Sequence, residues 1–152
     1  ERLHLPCLVS PCGSTAPLPR QASLLQPMDL YATILEWFGC GASLEGHDGI
    51  SLLPSLRDGS VLLRQLAVTR GARGRLAVRT PAWWLIESPD GIDLPQLFAK
   101  PGDRWESNDV AALCPAIHEG LAAELATVER CCDQRKALPT VPADPELISS
   151  WQ

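Results

Sequence analysis

The texture of this chain changes near residue 60, and the change limits what the chain can fold into. Residues 61–68, 76–80 and 83–87 are short β-prone runs separated by Gly-rich or Pro-containing breaks. Runs at this spacing predict antiparallel strands. Residues 94–98 can add another strand, but Pro95 has no N–H to give to a ladder, so that strand belongs at an edge. Residues 115–132 then place apolar side chains at 117, 121, 122, 125 and 128, the stripe of an amphipathic helix. Glu119, Glu124 and Glu129 fall on its other faces and are expected in water. This half therefore reads as a small antiparallel sheet with a C-terminal helix.

The earlier part follows another rhythm. Residues 5–10 form an apolar run ended by Pro11 and Gly13. A run bounded in this way reads as a buried strand of a parallel sheet. Residues 11–23 are rich in Pro, Ser, Gly and Ala and read as a loop. Apolar residues at 30, 31, 34, 35 and 38 then mark a helix. Asp29 is placed to cap it, and Gly39 and Gly41 to end it in a left-handed turn. Residues 45–57 read as a turn and a short helix anchored by Leu52, Leu53 and Leu56. Strand, loop and helix make an α/β rhythm. The expected organisation is thus the last strand and helix of an α/β domain over 1–45, an antiparallel-sheet subdomain with a packed helix over 46–135, and a loosely ordered tail over 136–152.

The formal net charge is −5, and no basic run is present. Nucleic acids and anionic membranes are recognised by clustered Lys and Arg, so neither is an expected partner. The closest approach is Arg70-Gly71-Ala72-Arg73-Gly74-Arg75, which reads as a solvated hairpin tip. No apolar stretch reaches the ~18 residues that a membrane span needs. The chain opens on Glu1 without a leader pattern, so its true N-terminus is expected further upstream, and the compartment is left open. Cysteines at 7, 12, 40, 114, 131 and 132 show no zinc-type Cys-x-x-Cys pair. Their long gaps favour free or buried thiols over one or two disulfides, and both over a metal site.

No catalytic constellation is visible. His4, His47 and His118 stand outside any motif, and there is no Gly-x-Ser-x-Gly elbow, phosphate loop or His-Glu-x-x-His. Asp48 and Asp90 are each followed by Gly and read as turn residues before they read as metal ligands. His47 lies in a polar turn where the α/β part gives way to the antiparallel part, a kind of junction that often holds ligands. A plain surface histidine is the competing reading. Trp83 and Trp84 are adjacent, so on a strand one faces the core while the other can face a cleft.

Several segments, in order, resemble the C-terminal portion of the sulfatase family, within the alkaline-phosphatase-like superfamily. Leu5-Pro6-Cys7-Leu8-Val9 resembles the strand after the last metal-binding motif. Met28-Asp29-Leu30-Tyr31-Ala32-Thr33-Ile34-Leu35 resembles Val-Asp-Leu-x-Pro-Thr-Leu-Leu, with Ala32 in place of Pro. Asp48-Gly49-Ile50-Ser51-Leu52-Leu53-Pro54 resembles Asp-Gly-x-Ser-Leu-Leu-Pro. Ala77-Val78-Arg79-Thr80-Pro81-Ala82-Trp83 resembles Ala-Val-Arg-Thr-x-x-Trp, and the stretch from Leu97 to Ala111 resembles the family's closing segment.

The resemblance implies the end of an alkaline-phosphatase-like α/β domain followed by a small antiparallel sheet with a C-terminal helix. It also implies a parent enzyme that hydrolyses sulfuric esters with a formylglycine nucleophile and a calcium ion. No Cys or Ser followed at the right offsets by Pro and Arg is present, and the early Asp pair is missing. No catalytic or metal residue carries over, and neither cofactor is expected on this chain itself. The implied partner is a sulfated small molecule or glycan, bound through the parent. His47 and Trp84 are the candidates for the cleft wall, chosen by position and chemistry. Two other readings remain: a phosphonate or phosphate ester hydrolase of the same superfamily, and a degenerate, non-enzymatic binding module. An isolated chain with an unpartnered strand is expected to be oligomeric or to aggregate.

Overall fold

A computed structural model describes residues 7–9, 23–40, 47–59, 63–71, 74–88 and 90–149. Strands β1 (Ala67–Arg70), β2 (Leu76–Arg79), β3 (Trp83–Glu87) and β4 (Gln96–Ala99) form one sheet in the order β1-β2-β3-β4, with every neighbouring pair antiparallel. The pleat sends Trp83 and Leu85 to one face of β3 and Trp84 and Ile86 to the other. The first face is the core. Leu76, Val78, Leu85 and Leu97 meet Leu121 and Leu125 of helix α3 (Pro115–Asp133) there. Both sheet edges are blocked. The Val68 carbonyl of β1 accepts from Gln26 Nε2 at 2.6 Å, and the Leu97 amide of β4 donates to Asp109 Oδ1 at 3.0 Å. Such covering removes a template for strand addition.

β2, β3 and the edge position of β4 agree with the alternation and breaks in the sequence. The first strand differs, because regular pairing begins only at Ala67. Upstream of it, the Gln65 and Leu66 amides both donate to the Thr140 carbonyl, at 2.8 and 2.9 Å, and Arg64 turns away to a carboxylate. Gly71 N donates to Arg75 O at 2.7 Å and closes the β1–β2 hairpin. Arg70 makes only a loose, exposed pair with Glu129 at 3.6 Å, as expected of a solvated tip.

Helix α1 spans Pro27–Trp37, and a short helix α2 spans Leu53–Arg57. Gln26, and not Asp29, occupies the N-cap, with Pro27 at the first helical position. Asp29 sits one turn in, at N3, and its Oδ2 accepts from the Gln26 amide at 2.8 Å. The helix ends as expected at Gly39 (φ 74°), with Gly39 N to Glu36 O at 3.0 Å and Cys40 N to Leu35 O at 2.8 Å. That pair of bonds is the Schellman arrangement, which satisfies the last free carbonyls. Gly41 lies outside the described residues. So does most of the expected strand over 5–10: residues 7–9 are exposed and belong to no ladder.

The tail departs from the loose order that its composition predicts. Leu138 N donates to Asp48 Oδ1 at 2.9 Å, and Ala143 N to Glu124 Oε1 at 2.5 Å. A 3₁₀ turn, Pro145–Ile148, puts Leu147 into the core, where its carbonyl accepts from Thr80 Oγ1 at 2.6 Å. Glu124 is therefore buried against the tail and is not the solvated residue that helical phase alone suggests. Gly120 makes room for this, since a Cβ there would meet Leu147 Cδ2 at 3.0 Å. The described cysteines, Cys7, Cys40, Cys114, Cys131 and Cys132, are free thiols.

Candidate cleft-wall residues and the lock behind them

The turn that carries His47 is held by a polar lock around Asp29. Asp29 Oδ1 accepts from the Ile50 amide at 2.9 Å and from Arg64 Nη2 at 2.7 Å, while Arg64 Nε reaches Oδ2 at 3.3 Å. Arg64 Nη2 also donates to the Asp48 carbonyl at 3.0 Å. One turn along α1, Thr33 Oγ1 accepts from Leu52 N at 2.9 Å. Gly49 lies against α1 so closely that a Cβ would stand 2.3 Å from the Met28 carbonyl oxygen. The segments 28–35 and 48–54, read separately in the sequence, are thus one interlocked unit. Asp29 and Arg64 are almost wholly buried, so their charges compensate each other where water cannot.

His47 stands on the outside of this unit. Its ring is exposed and meets Tyr31 of α1 edge-on, with centroids 5.2 Å apart and planes at 61°. Trp84 lies elsewhere, on the sheet face away from α3, between Arg79 of β2 and Phe98 of β4. Trp83 is the core member of the tryptophan pair, and Trp84 is partly exposed. The Trp84 indole nitrogen is buried and has no hydrogen-bond partner among the described residues. No hydrogen bond, ion pair or ring contact links His47 to Trp84 among those residues. Neither lines either of two surface grooves formed by described residues, one of about 320 Å³ between Met28, Val68, Leu125 and Val128, the other of about 500 Å³ around Arg75 and Asp93.

Arg79, next to Trp84, donates Nη1 to the Trp83 carbonyl at 2.9 Å and to the Thr80 carbonyl. Burial pushes its pKa down to about 10, with the charge of Glu106 opposing, so it stays cationic at neutral pH. Lys100 follows β4, and its Nζ binds the Asp103 carbonyl at 2.6 Å and Glu106 Oε1 at 3.2 Å. These cations are held by the loop and by carbonyls, which fixes the end of the sheet beside Trp84.

Three aspartates are engaged by backbone amides in a similar way. Asp48 serves Leu138 N, Asp109 serves Leu97 N and Ala111 N, and Asp90 serves Ser88 and Ile92 N in the turn before Gly91 (φ 67°). Among the described residues no group of His, Cys, Asp and Glu is placed to hold a metal ion.

Asp103 provides a pH test of the loop. Its carboxylate accepts from Ser107 N at 3.0 Å and Asn108 N at 2.9 Å, and these bonds hold its pKa below the usual 3.8. With the folded pKa depressed, the stabilisation is full above the unfolded value and is lost as pH falls through the folded one. The amide signals of Ser107 and Asn108 are expected to titrate with a midpoint below 3.8. A midpoint at or above that value would show that the two bonds are not made in solution.

No protein-family model matches the chain, and no curated protein matches it. A solved structure does: a Bacteroides thetaiotaomicron protein labelled 6S-sulf, from work on a core genetic locus that orchestrates metabolism of multiple glycosaminoglycans. The match has a TM-score of 0.53 at 23% identity and covers 67% of this chain and 24% of that one. The neighbour is labelled as a sulfatase. At this identity the likeness establishes a shared fold, and the chain spans about a quarter of the neighbour's length. Among the described residues no helix is long and apolar enough to cross a membrane.

Proposed function

We propose that this chain is the C-terminal portion of a sulfatase-like enzyme, supplying scaffold and one wall of the substrate cleft and none of the catalytic residues. The observation that carries the reading is the fold shared with a sulfatase-labelled structure about four times as long as the matched stretch. Five motifs in family order support it, and the lock around Asp29 gives two of them a shared structural purpose. In this reading residues 1–45 belong to the end of the main α/β domain, 46–135 form the subdomain, and 136–152 are a tail whose described part, 136–149, packs on it. The formylglycine nucleophile and the calcium ion belong to the rest of the parent. The substrate is a sulfuric ester, and the glycosaminoglycan setting of the neighbour favours a sulfated glycan over a small aryl ester.

His47 and Trp84 are assigned to substrate contact, His47 from an exposed turn that Tyr31 braces, Trp84 as an aromatic surface for a sugar ring. The test uses the polypeptide that includes the in-frame region upstream of Glu1. Sulfate release is measured from an aryl sulfate and from a sulfated glycosaminoglycan oligosaccharide. His47→Ala and Trp84→Ala are each expected to lower kcat/KM for the oligosaccharide by about tenfold, equivalent to ~1.4 kcal/mol, and to leave aryl sulfate turnover near wild type. Equal loss on both substrates would remove the cleft-wall role. Turnover of phosphate monoesters or phosphonates without sulfate release would move the parent to the other branch of the superfamily. Absence of any turnover would favour a binding module.

A further inference from the structure

We infer that the groove lined by Arg75, Ile92, Asp93, Leu94, Gln96 and Asp109 binds an uncharged sugar unit. The site rests on the reading above and deepens it, since it gives an oligosaccharide a second contact beside Trp84. Its volume of about 500 Å³ falls within the ~300–1,000 Å³ of small-molecule sites. Gln96 pairs with Ile86 across the β3–β4 ladder, so it lies with Trp84 on the sheet face away from α3. Because Trp84 itself pairs with Phe98, Gln96 is its diagonal neighbour, about 7–8 Å away. Arg75 Nη2 donates to Gln96 Oε1 at 3.2 Å, which ties the guanidinium to the same surface.

The lining has hydrogen-bonding capacity to spare. A guanidinium carries five N–H donors, and Arg75 makes one hydrogen bond among the described residues. Its ion pair with Asp93 is loose, at 3.8 Å, and the Asp93 carboxylate accepts no hydrogen bond from those residues. Asp109 commits Oδ1 to the Leu97 and Ala111 amides, which leaves Oδ2. Gln96 commits Oε1, which leaves its amide N–H groups. Donors from Arg75 and Gln96 and acceptors from Asp93 and Asp109 thus line one opening. A sugar hydroxyl both donates and accepts, so a pair of neighbouring hydroxyls answers both kinds of group at once. Charge decides against ions. One guanidinium and two carboxylates give the lining a formal charge of 1 − 2 = −1, which repels an anion, and the guanidinium repels a metal ion. Ile92 and Leu94, 81% and 85% exposed, add apolar surface that suits the C–H face of a pyranose ring.

The experiment uses the longest polypeptide in frame with this chain and the neutral probe chitotriose. Carboxylates are labelled with a carbodiimide and glycine ethyl ester and read by mass spectrometry. Asp93, half exposed, is the reporter, and the exposed Asp133 at the end of α3 is the control. Saturating chitotriose is expected to lower labelling of Asp93 several-fold and to leave Asp133 unchanged. Asp93→Ala is expected to weaken chitotriose binding in calorimetry about tenfold, the scale of one hydrogen bond to a charged group. Equal labelling with and without the sugar would overturn the inference. So would equal protection by glycerol at the same hydroxyl concentration, which would make the groove a site for any polyol. Tighter binding of a hyaluronan tetrasaccharide, which carries carboxylates, would overturn the choice of an uncharged unit. Protection of Asp93 in a polypeptide that releases no sulfate would leave the groove standing and sink the sulfatase reading alone. Sulfate release from an oligosaccharide with Asp93 labelled equally in its presence would sink the groove alone.

Discussion

Asp29→Ala is expected to lower the unfolding free energy by about 3–5 kcal/mol in urea titrations, the largest effect of any substitution considered for this chain. Arg64 is the reason. Its side chain is 1% exposed and its nearest anion is Asp29 at 2.7 Å. Removal of the carboxylate leaves the guanidinium, among the described residues, with the Asp48 carbonyl and almost no exposure to water. The Ile50 amide loses its acceptor in the same step. Arg64→Met, which removes the cation and keeps a similar length of apolar side chain, is expected to cost less alone than Asp29→Ala does. The double variant should recover part of the loss, because the buried unpaired charge is gone. A cost below about 1 kcal/mol for Asp29→Ala would place the pair in a solvated setting, where ion pairs contribute that little.

The lock also shows why the fold was only partly legible in the sequence. β2, β3 and α3 rest on local signals: alternation, a Gly or Pro break, an apolar stripe with the 3.6-residue period. Each of those acts over a few residues, and each was readable. Pro95 correctly placed the last strand at the edge, since the strand begins just after it. The polar contacts run over long separations and leave no local trace. Asp29 reads as a helix cap because capping is what an Asp at a helix start does nearby. Its decisive partner is 35 residues away, inside a run whose apolar neighbours make Arg64 look like one residue of a strand. Glu124 reads as solvated by helical phase, and only the return of the tail, with Ala143 N at 2.5 Å, buries it.

The candidate site was less legible still. Strand parity established that Trp83 and Trp84 face opposite ways, and the core claimed Trp83. Parity says nothing about what lies beyond the outer face. The sequence marks His47 only by its place where the α/β part gives way to the antiparallel part, and its exposed ring meets Tyr31 of α1. A wall is defined by what it faces, and a local sequence signal carries no information on that.

Gly49→Ala is expected to cost about 2–3 kcal/mol, and the steric origin of the loss is what makes it informative. Gly49 does not need a left-handed backbone; its constraint is the neighbour. A Cβ would stand 2.3 Å from Met28 O, 2.9 Å from Met28 C and 3.1 Å from Ala32 Cβ. The first two are backbone atoms of the opening turn of α1, so no rotamer change relieves the contact. Either α1 or the 48–50 turn must move, and the Ile50 amide then withdraws from Asp29. The cost should therefore couple to that of Asp29→Ala, with a double-mutant interaction of about 0.5–3 kcal/mol, because both substitutions break the same join. Gly39→Ala is the contrasting case. It has φ 74° and nothing within 4 Å, so its cost of roughly 1 kcal/mol comes from backbone strain alone and should add to that of Asp29→Ala. If Gly49→Ala behaved like Gly39→Ala, small and additive, the Asp-Gly pair would be an ordinary turn. The expected coupling would instead make it the piece that fits α1 against the segment presenting His47.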